Sequence, residues 1–150
     1  MIHISRASSN HLEDVAYLFD LYRQFYSQTP DIEGARHFLQ KRFKNEDSVI
    51  FIARNLQQAP LGFIQLYPGL SSVSMGSIFT LNDLFVISPA RRLGVAGQLM
   101  EAATRYAQEV GGIRLTLSTA VSNVNAQKLY ERKGWTKDNY FYTYHFSVKK

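Results

Sequence analysis

Residues 84–100 read LFVISPARRLGVAGQLM, and few folds accommodate such a stretch. The apolar run Leu84-Phe85-Val86-Ile87 has the character of a buried strand. Ser88-Pro89 ends it, because proline has no N–H for a ladder and restricts the residue before it. Further on, Val95, Leu99, Ala102, Ala103, Tyr106, Ala107 and Val110 recur at helical spacing, and Gly111-Gly112 closes the helix. Between strand and helix lie two cations and a run of small residues, Arg91-Arg92-Leu93-Gly94-Val95-Ala96-Gly97. A helix N-terminus has unpaired N–H groups and a partial positive charge. Small side chains let an anion reach those groups. The amides from Arg92 to Gly97, with the charges of Arg91 and Arg92, are therefore a candidate cradle for phosphate oxygens. A tight turn that holds nothing has the same appearance. The Walker pattern and the Gly-x-Gly-x-x-Gly fingerprint are both absent, which disfavours nucleoside triphosphates and dinucleotides.

The rest of the chain supplies matching elements. Ile2 to Arg6 alternates like a short strand. Asn10 with Glu13 resembles a capping box, followed by Leu12, Val15, Ala16, Phe19, Tyr22 and Phe25 at helical spacing. Thr29-Pro30-Asp31 reads as a second helix start, with Pro30 at the first helical position. Strands are predicted at 48–53, 61–66 and 78–87, with a Ser/Gly loop over 68–76. After the helix come a strand over 113–119, a helix over 123–133 closed by Gly134, and a final strand over 140–148. The order β-α-α-β-β-β-α-β-α-β predicts an α/β (α+β) protein. It would be a mixed, mostly antiparallel sheet flanked by helices, in a single domain over 1–150.

Composition narrows the function. The net charge of +5 suits an anionic ligand. The cations, however, are dispersed and lack interleaved stacking aromatics, so no nucleic-acid partner is predicted. There is no cysteine, which excludes a thiolate nucleophile and disulfides and fits a reducing compartment. The four histidines have no ligand spacing, and no metal is predicted. No apolar run reaches the ~18 residues of a membrane span, and the N-terminus lacks a signal-peptide layout, so a cytoplasmic location is expected.

Two segments carry a family resemblance. Arg91-x-x-Gly94-x-Ala96, after Leu84-x-Val86, resembles the Arg/Gln-x-x-Gly-x-Gly/Ala signature of the GNAT superfamily of N-acetyltransferases. Asn123, Ala126, Leu129, Tyr130, Glu131, Gly134 and Trp135 resemble the family's second motif, N-x-x-A-x-x-L-Y-E-x-x-G-F/W. The resemblance is strong over residues 78–148 and rests on element order alone before that. Arg92 stands where the family usually has glycine, Ser88 where it often has proline, and Ala96 for the commoner glycine. All three residues keep their N–H groups.

The resemblance implies acetyl-CoA as cosubstrate. Its pyrophosphate would lie on Arg91, Arg92, Leu93, Gly94, Val95, Ala96 and Gly97, and its pantetheine arm along Leu84, Phe85 and Val86. Asn123, also a natural helix cap, Ala126 and Tyr130 would complete the cofactor contacts. The N–H of Leu84 or of Phe85 would polarise the thioester. The resemblance assigns Tyr130 as general acid, and a phenol with a pKa near ~10 is protonated at neutral pH. The alternative for Tyr130 is core packing. Asp83 is the candidate for handling the acceptor's proton, through water, or else a support for its strand.

Polyamine acetyltransferases resemble this chain at 81–86, but carry glutamate where Asn82 stands. The aromatic residues Tyr22, Phe25, Tyr26, Tyr67, Phe79, Tyr140 and Tyr142 are candidates to line an acceptor pocket. Tyr22, Tyr26, Asn82 and Phe79 are taken as substrate-binding. The expected acceptor is a small-molecule primary amine: a polyamine, an amino acid or an aminoglycoside-like compound. A protein lysine or N-terminus, and a non-catalytic acyl-CoA sensor, are the alternatives. The final strand is apolar on both faces, which predicts a homodimer.

Overall fold

The structure, a computed structural model, describes residues Met1–Lys150. In chain order the elements are β1 (His3–Arg6), α1 (Leu12–Phe25), α2 (Ile32–Asn45), β2 (Val49–Arg54), β3 (Pro60–Ser71), β4 (Gly76–Val86), α3 (Val95–Glu109), β5 (Arg114–Thr116) and α4 (Val124–Arg132). The strands form one five-stranded sheet in sequence order. Its first three pairings are antiparallel and β4–β5 is parallel. This is the mixed α/β architecture that the sequence predicts. Two compact units are present, Met1–Ser118 with the sheet and α1–α3, and Thr119–Lys150 with α4. No helix is long and apolar enough to cross a membrane.

Period-two alternation distributes the helices of the first unit. Phe63 pairs with Ile52, and both join Val15, Leu18 and Leu39 in one core cluster. One residue on, Ile64 pairs with Phe51, whose ring meets Tyr106 of α3 at 6.1 Å. Thus α1 and α2 cover one face of the sheet and α3 the other. Leu18, Leu39, Phe63 and Leu99 are fully buried, each stabilising the unit by about 2 kcal/mol.

A β-bulge interrupts the alternation on β4. Gln65 pairs with Asp83, yet Leu66 pairs with Leu81, leaving Asn82 as the extra residue. The buried side chains change face there. Phe79 meets Tyr106 on the α3 side at 5.7 Å, whereas Phe85 meets Tyr22 and Phe25 of α1 at 6.2 and 6.3 Å. A second irregularity matters to the site. β5 touches β4 only along Ile78–Thr80, so from Leu81 to Val86 the sheet continues on the β3 side alone.

Several local expectations are corrected. Asn10 lies within a 3-10 turn over Ser9–His11, and the Ser8 amide donates to His11 Nδ1 at 3.0 Å. Glu13 binds Arg36 of α2 instead of a cap. Asp31 is the N-cap of α2, accepting from the Gly34 amide at 2.9 Å, so Pro30 precedes the helix. The hairpin runs through the expected 68–76 loop to a turn after Ser71. Pro68 is tolerated because β2 ends opposite Leu66, leaving β3 one neighbour there. No strand forms over 140–148, where Tyr140 and Tyr142 are 90% and 91% exposed. Strand periodicity cannot make a ladder without a neighbouring edge.

Candidate active site

The turn into α3 is built on Gly94, which caps the helix at φ 82° in the left-handed region that side chains disfavour. A Cβ there would meet nothing within 4 Å, so the turn is open on that side. Val95 and Leu99, 2% and 0% exposed, pin the first turn of α3 to the sheet. The first return bond runs from the Gln98 amide to the Gly94 carbonyl, 3.1 Å. The amides of Arg92, Leu93, Gly94, Val95, Ala96 and Gly97 donate to no group of the chain. Six main-chain donors thus lie unbonded along an open turn at the positive end of a helix.

The two arginines differ. Arg91 Nε donates to the Val86 carbonyl at 3.0 Å, and its guanidinium lies over the rings of Phe25 and Phe85 at 5.4 and 5.8 Å. It ties the turn to the end of β4. Arg92 is exposed and has φ 64°, a conformation that costs a non-glycine residue about 1 kcal/mol. Leu84, Phe85 and Val86 pair with Ile64, Phe63 and Gly62 of β3, and their other edge carries no strand.

At the bulge a carboxyl group is buried. Asp83 is 3% exposed. Its Oδ2 accepts from Gln65 Nε2, and its Oδ1 accepts from Asn82 Nδ2 at 2.8 Å. The Tyr22 hydroxyl donates to the Asn82 carbonyl at 3.3 Å. Burial pushes the Asp83 carboxyl above the usual carboxylate range, against the hydrogen bonds from Gln65 and Asn82 that lower it. Burial, then the charge of Asp83, raises the Tyr22 phenol, so Tyr22 stays protonated and donates hydrogen bonds. The same two causes push Tyr67 up to about 12. A carboxyl group whose proton affinity is raised in this way suits a general base.

Tyr22, Tyr26 and Asn82 share this corner, with the Tyr22 and Tyr26 rings 5.1 Å apart. Phe79 does not belong with them. It is buried beneath α3 on the opposite face, because the bulge at Asn82 turns Phe79 and Leu81 to the side away from Asp83 and Phe85. Tyr140 and Tyr142 lie in the second unit. The connection between α1 and α2 is held by Asp20, 8% exposed. Its carboxylate accepts from the Asp31 amide at 2.9 Å and from Arg23 and Gln24, each at 3.2 Å. Gln65 escaped sequence reasoning; its one signal was a lone amide in the apolar strand Leu61–Leu66.

In the second unit, Asn123 caps α4 as expected, accepting from the Ala126 amide at 3.3 Å. Gly134, at φ 92°, ends the helix. The Gly134 amide donates to the Glu131 carbonyl and the Trp135 amide to that of Tyr130, at 3.1 and 3.0 Å. That is a Schellman stop, and it explains why Gly-Trp follows the helix. Tyr130 is partly exposed on α4.

The free edge of β4 from Leu81 to Val86 lies next to a glycine turn whose amides donate to no group of the chain. The chain belongs to the Acetyltransferase (GNAT) family, whose sequence pattern matches residues 15–135. It is an acetyltransferase, and its family uses acetyl-CoA. It is 44% identical over 147 residues to the uncharacterised N-acetyltransferase YhfO of Bacillus subtilis (strain 168), with 98% of each chain covered. The crystal structure of a probable acetyltransferase, 39% identical, superposes with a TM-score of 0.93 over 99% of both chains. AAC(6')-Iy, in complex with the bisubstrate analogue CoA-S-monomethyl-acetylneamine, shares the fold at a TM-score of 0.82 and 21% identity over 99% of both chains.

Proposed function

We propose that the chain transfers the acetyl group of acetyl-CoA to a primary amine of a small molecule by direct attack. The six unbonded amides from Arg92 to Gly97 carry this reading. They fit a diphosphate, and the open edge along Leu84, Phe85 and Val86 fits the amide-bearing pantetheine arm. Asn123 and Ala126 complete the cofactor contacts by family resemblance. Tyr22, Tyr26 and Asn82 receive the acceptor, and Asp83 takes up the proton that its ammonium must lose. The neutral amine then attacks the acetyl carbon, with the N–H of Leu84 or Phe85 on the carbonyl oxygen. The C–N bond forms, the C–S bond breaks, and Tyr130 protonates the departing thiolate, its proton being restored by the one that the acylated nitrogen sheds as it becomes an amide.

The acceptor class is a polyamine, an amino acid or an aminoglycoside-like amine. The bisubstrate complex of AAC(6')-Iy supports the last of these. The reading includes one domain over 1–150, a cytoplasmic setting and a homodimer formed through residues 140–148. A thiol-release assay with acetyl-CoA against amines, aminoglycosides, amino acids and basic peptides tests it. Release with a small amine supports it. Release with peptides alone moves the assignment to a protein acetyltransferase, and binding without release makes the chain a sensor.

A further inference from the structure

Gln65 is fully buried and stands directly opposite Asp83 across the β3–β4 ladder. Two positions before it on β3 lies Phe63, and two after Asp83 on β4 lies Phe85. Both rings belong to the core beneath α1. An amide and a carboxyl group have therefore been placed where apolar side chains would pack. Gln65 Nε2 donates to Asp83 Oδ2, but Gln65 Oε1 is buried and receives no hydrogen bond from the chain. A pair that leaves an acceptor unsatisfied stabilises a fold poorly, and apolar groups of the same shape are often neutral or better. The fold alone gives no reason for this amide.

What Gln65 does accomplish is specific to the carboxylate. Asp83 Oδ1 is engaged by Asn82 and Oδ2 by Gln65. The two donors come from different strands, so they fix both the position of the carboxylate and the plane in which it lies. Asn82 is exposed and flanks the carboxylate within its own bulge. Gln65 is the inner support. A hydrogen bond donated to a carboxylate favours its charged form, which a base must be in before it can accept a proton.

We propose that Gln65 is a positioning residue for acetyl transfer, holding Asp83 ionised and correctly turned so that it accepts the proton of the acceptor amine. The inference rests on reading Asp83 as the base. It adds a residue that neither family motif contains. Without the amide, burial acts on Asp83 with less opposition, and the carboxyl group holds its proton to higher pH. The Asp83 side chain also gains rotational freedom.

The test uses Gln65→Met, which keeps length and apolar bulk but cannot donate, and Gln65→Glu, which keeps the shape. The pH dependence of kcat/KM is measured with the best amine of the acceptor panel. Asp83 is also titrated by carbon NMR in the free protein, which needs no acceptor. Gln65→Met is expected to move the acidic limb and the Asp83 titration upward by about one pH unit, to lower kcat more than it raises KM, and to leave the thermal midpoint unchanged or higher. Gln65→Glu, which places two carboxyl groups in contact, is expected to move both further. An Asp83 titration that stays in place in both variants overturns the role of Gln65. Asp83→Asn separates the two readings. If the acidic limb survives in Asp83→Asn, the base assignment fails. If it disappears there but does not move in Gln65→Met, only the positioning role fails.

Discussion

The ring of Trp135 lies 6.1 Å from that of Tyr130, centroid to centroid, and the Trp135 amide donates to the Tyr130 carbonyl. One residue thus holds the candidate acid twice, through the main chain and through the ring. The hydrophobic contact is the usual companion of a Schellman stop. Here it also fixes the end of α4 that carries the phenol.

Tyr130→Phe removes only the hydroxyl and keeps the contact with Trp135. Turnover is expected to fall about a hundredfold, the lower range for losing a general acid, with the acetyl-CoA dissociation constant within about twofold. Trp135→Ala keeps the hydroxyl but loosens its support, and should lower turnover about tenfold. Steady-state rates beside calorimetric acetyl-CoA titrations check both. Unchanged turnover in Tyr130→Phe removes the phenol from the mechanism.

Arg92 holds a left-handed conformation at φ 64°, where the family usually has glycine. Arg92→Gly relieves the strain but gives the unfolded chain more freedom, so stability should stay within about 1 kcal/mol. If the guanidinium meets a phosphate, the same variant should weaken acetyl-CoA about fivefold at low salt, with the difference shrinking as salt rises. Affinities measured at two ionic strengths decide the point. Equal affinity at both would leave the main-chain amides as the sole anchors.

What was legible in the chain was local. The strand, turn and helix of 84–100 announce themselves through proline, glycine and helical spacing, and α4 through Asn123 and Gly134. The bulge at Asn82 was not legible, because a one-residue register slip exists only relative to β3. That slip sends Phe79 to the α3 face and leaves Gln65 opposite Asp83. Asn10 is taken up in the 3-10 turn before α1, where the His11 ring accepts the Ser8 amide, a contact no capping pattern signals. The segment 140–148 alternates like a strand, but alternation does not supply a partner.

Tyr140, Tyr142, Tyr144 and Phe146 are all about nine-tenths exposed in the single chain. Aromatic surface of that extent favours association with a second copy. Sedimentation of the wild type is expected to show a dimer at micromolar concentration. Tyr142→Asp with Tyr144→Asp should sediment as a monomer. A monomeric wild type would refute the dimer directly.

Asp20 accepts three hydrogen bonds that hold the α1–α2 connection. Asp20→Ala leaves the Asp31 amide unpaired, and should cost about 2 kcal/mol of stability. Because the connection follows Tyr22 and Tyr26 in the chain, the acceptor KM should rise several-fold while the acetyl-CoA KM holds. A parallel rise in both would mean that the whole unit had loosened.

Burial raises the Asp83 pKa in the folded chain above the usual carboxylate range. The native state therefore binds this proton more tightly than the unfolded state does. The resulting stabilisation is complete below the unfolded pKa and is lost as pH rises through the folded one. Asp83→Asn has no proton to lose at that position, and its stability should not carry this decline. At pH 8 the variant is expected to melt above the wild type. Below about pH 4 the two should converge, since the wild-type carboxyl is then neutral in both states. Thermal midpoints across pH 3.5–8 measure the gap. A gap that stayed constant with pH, or grew toward acid, would mean that Asp83 is ionised as readily inside the fold as outside it, and too weak a base to take a proton from an ammonium.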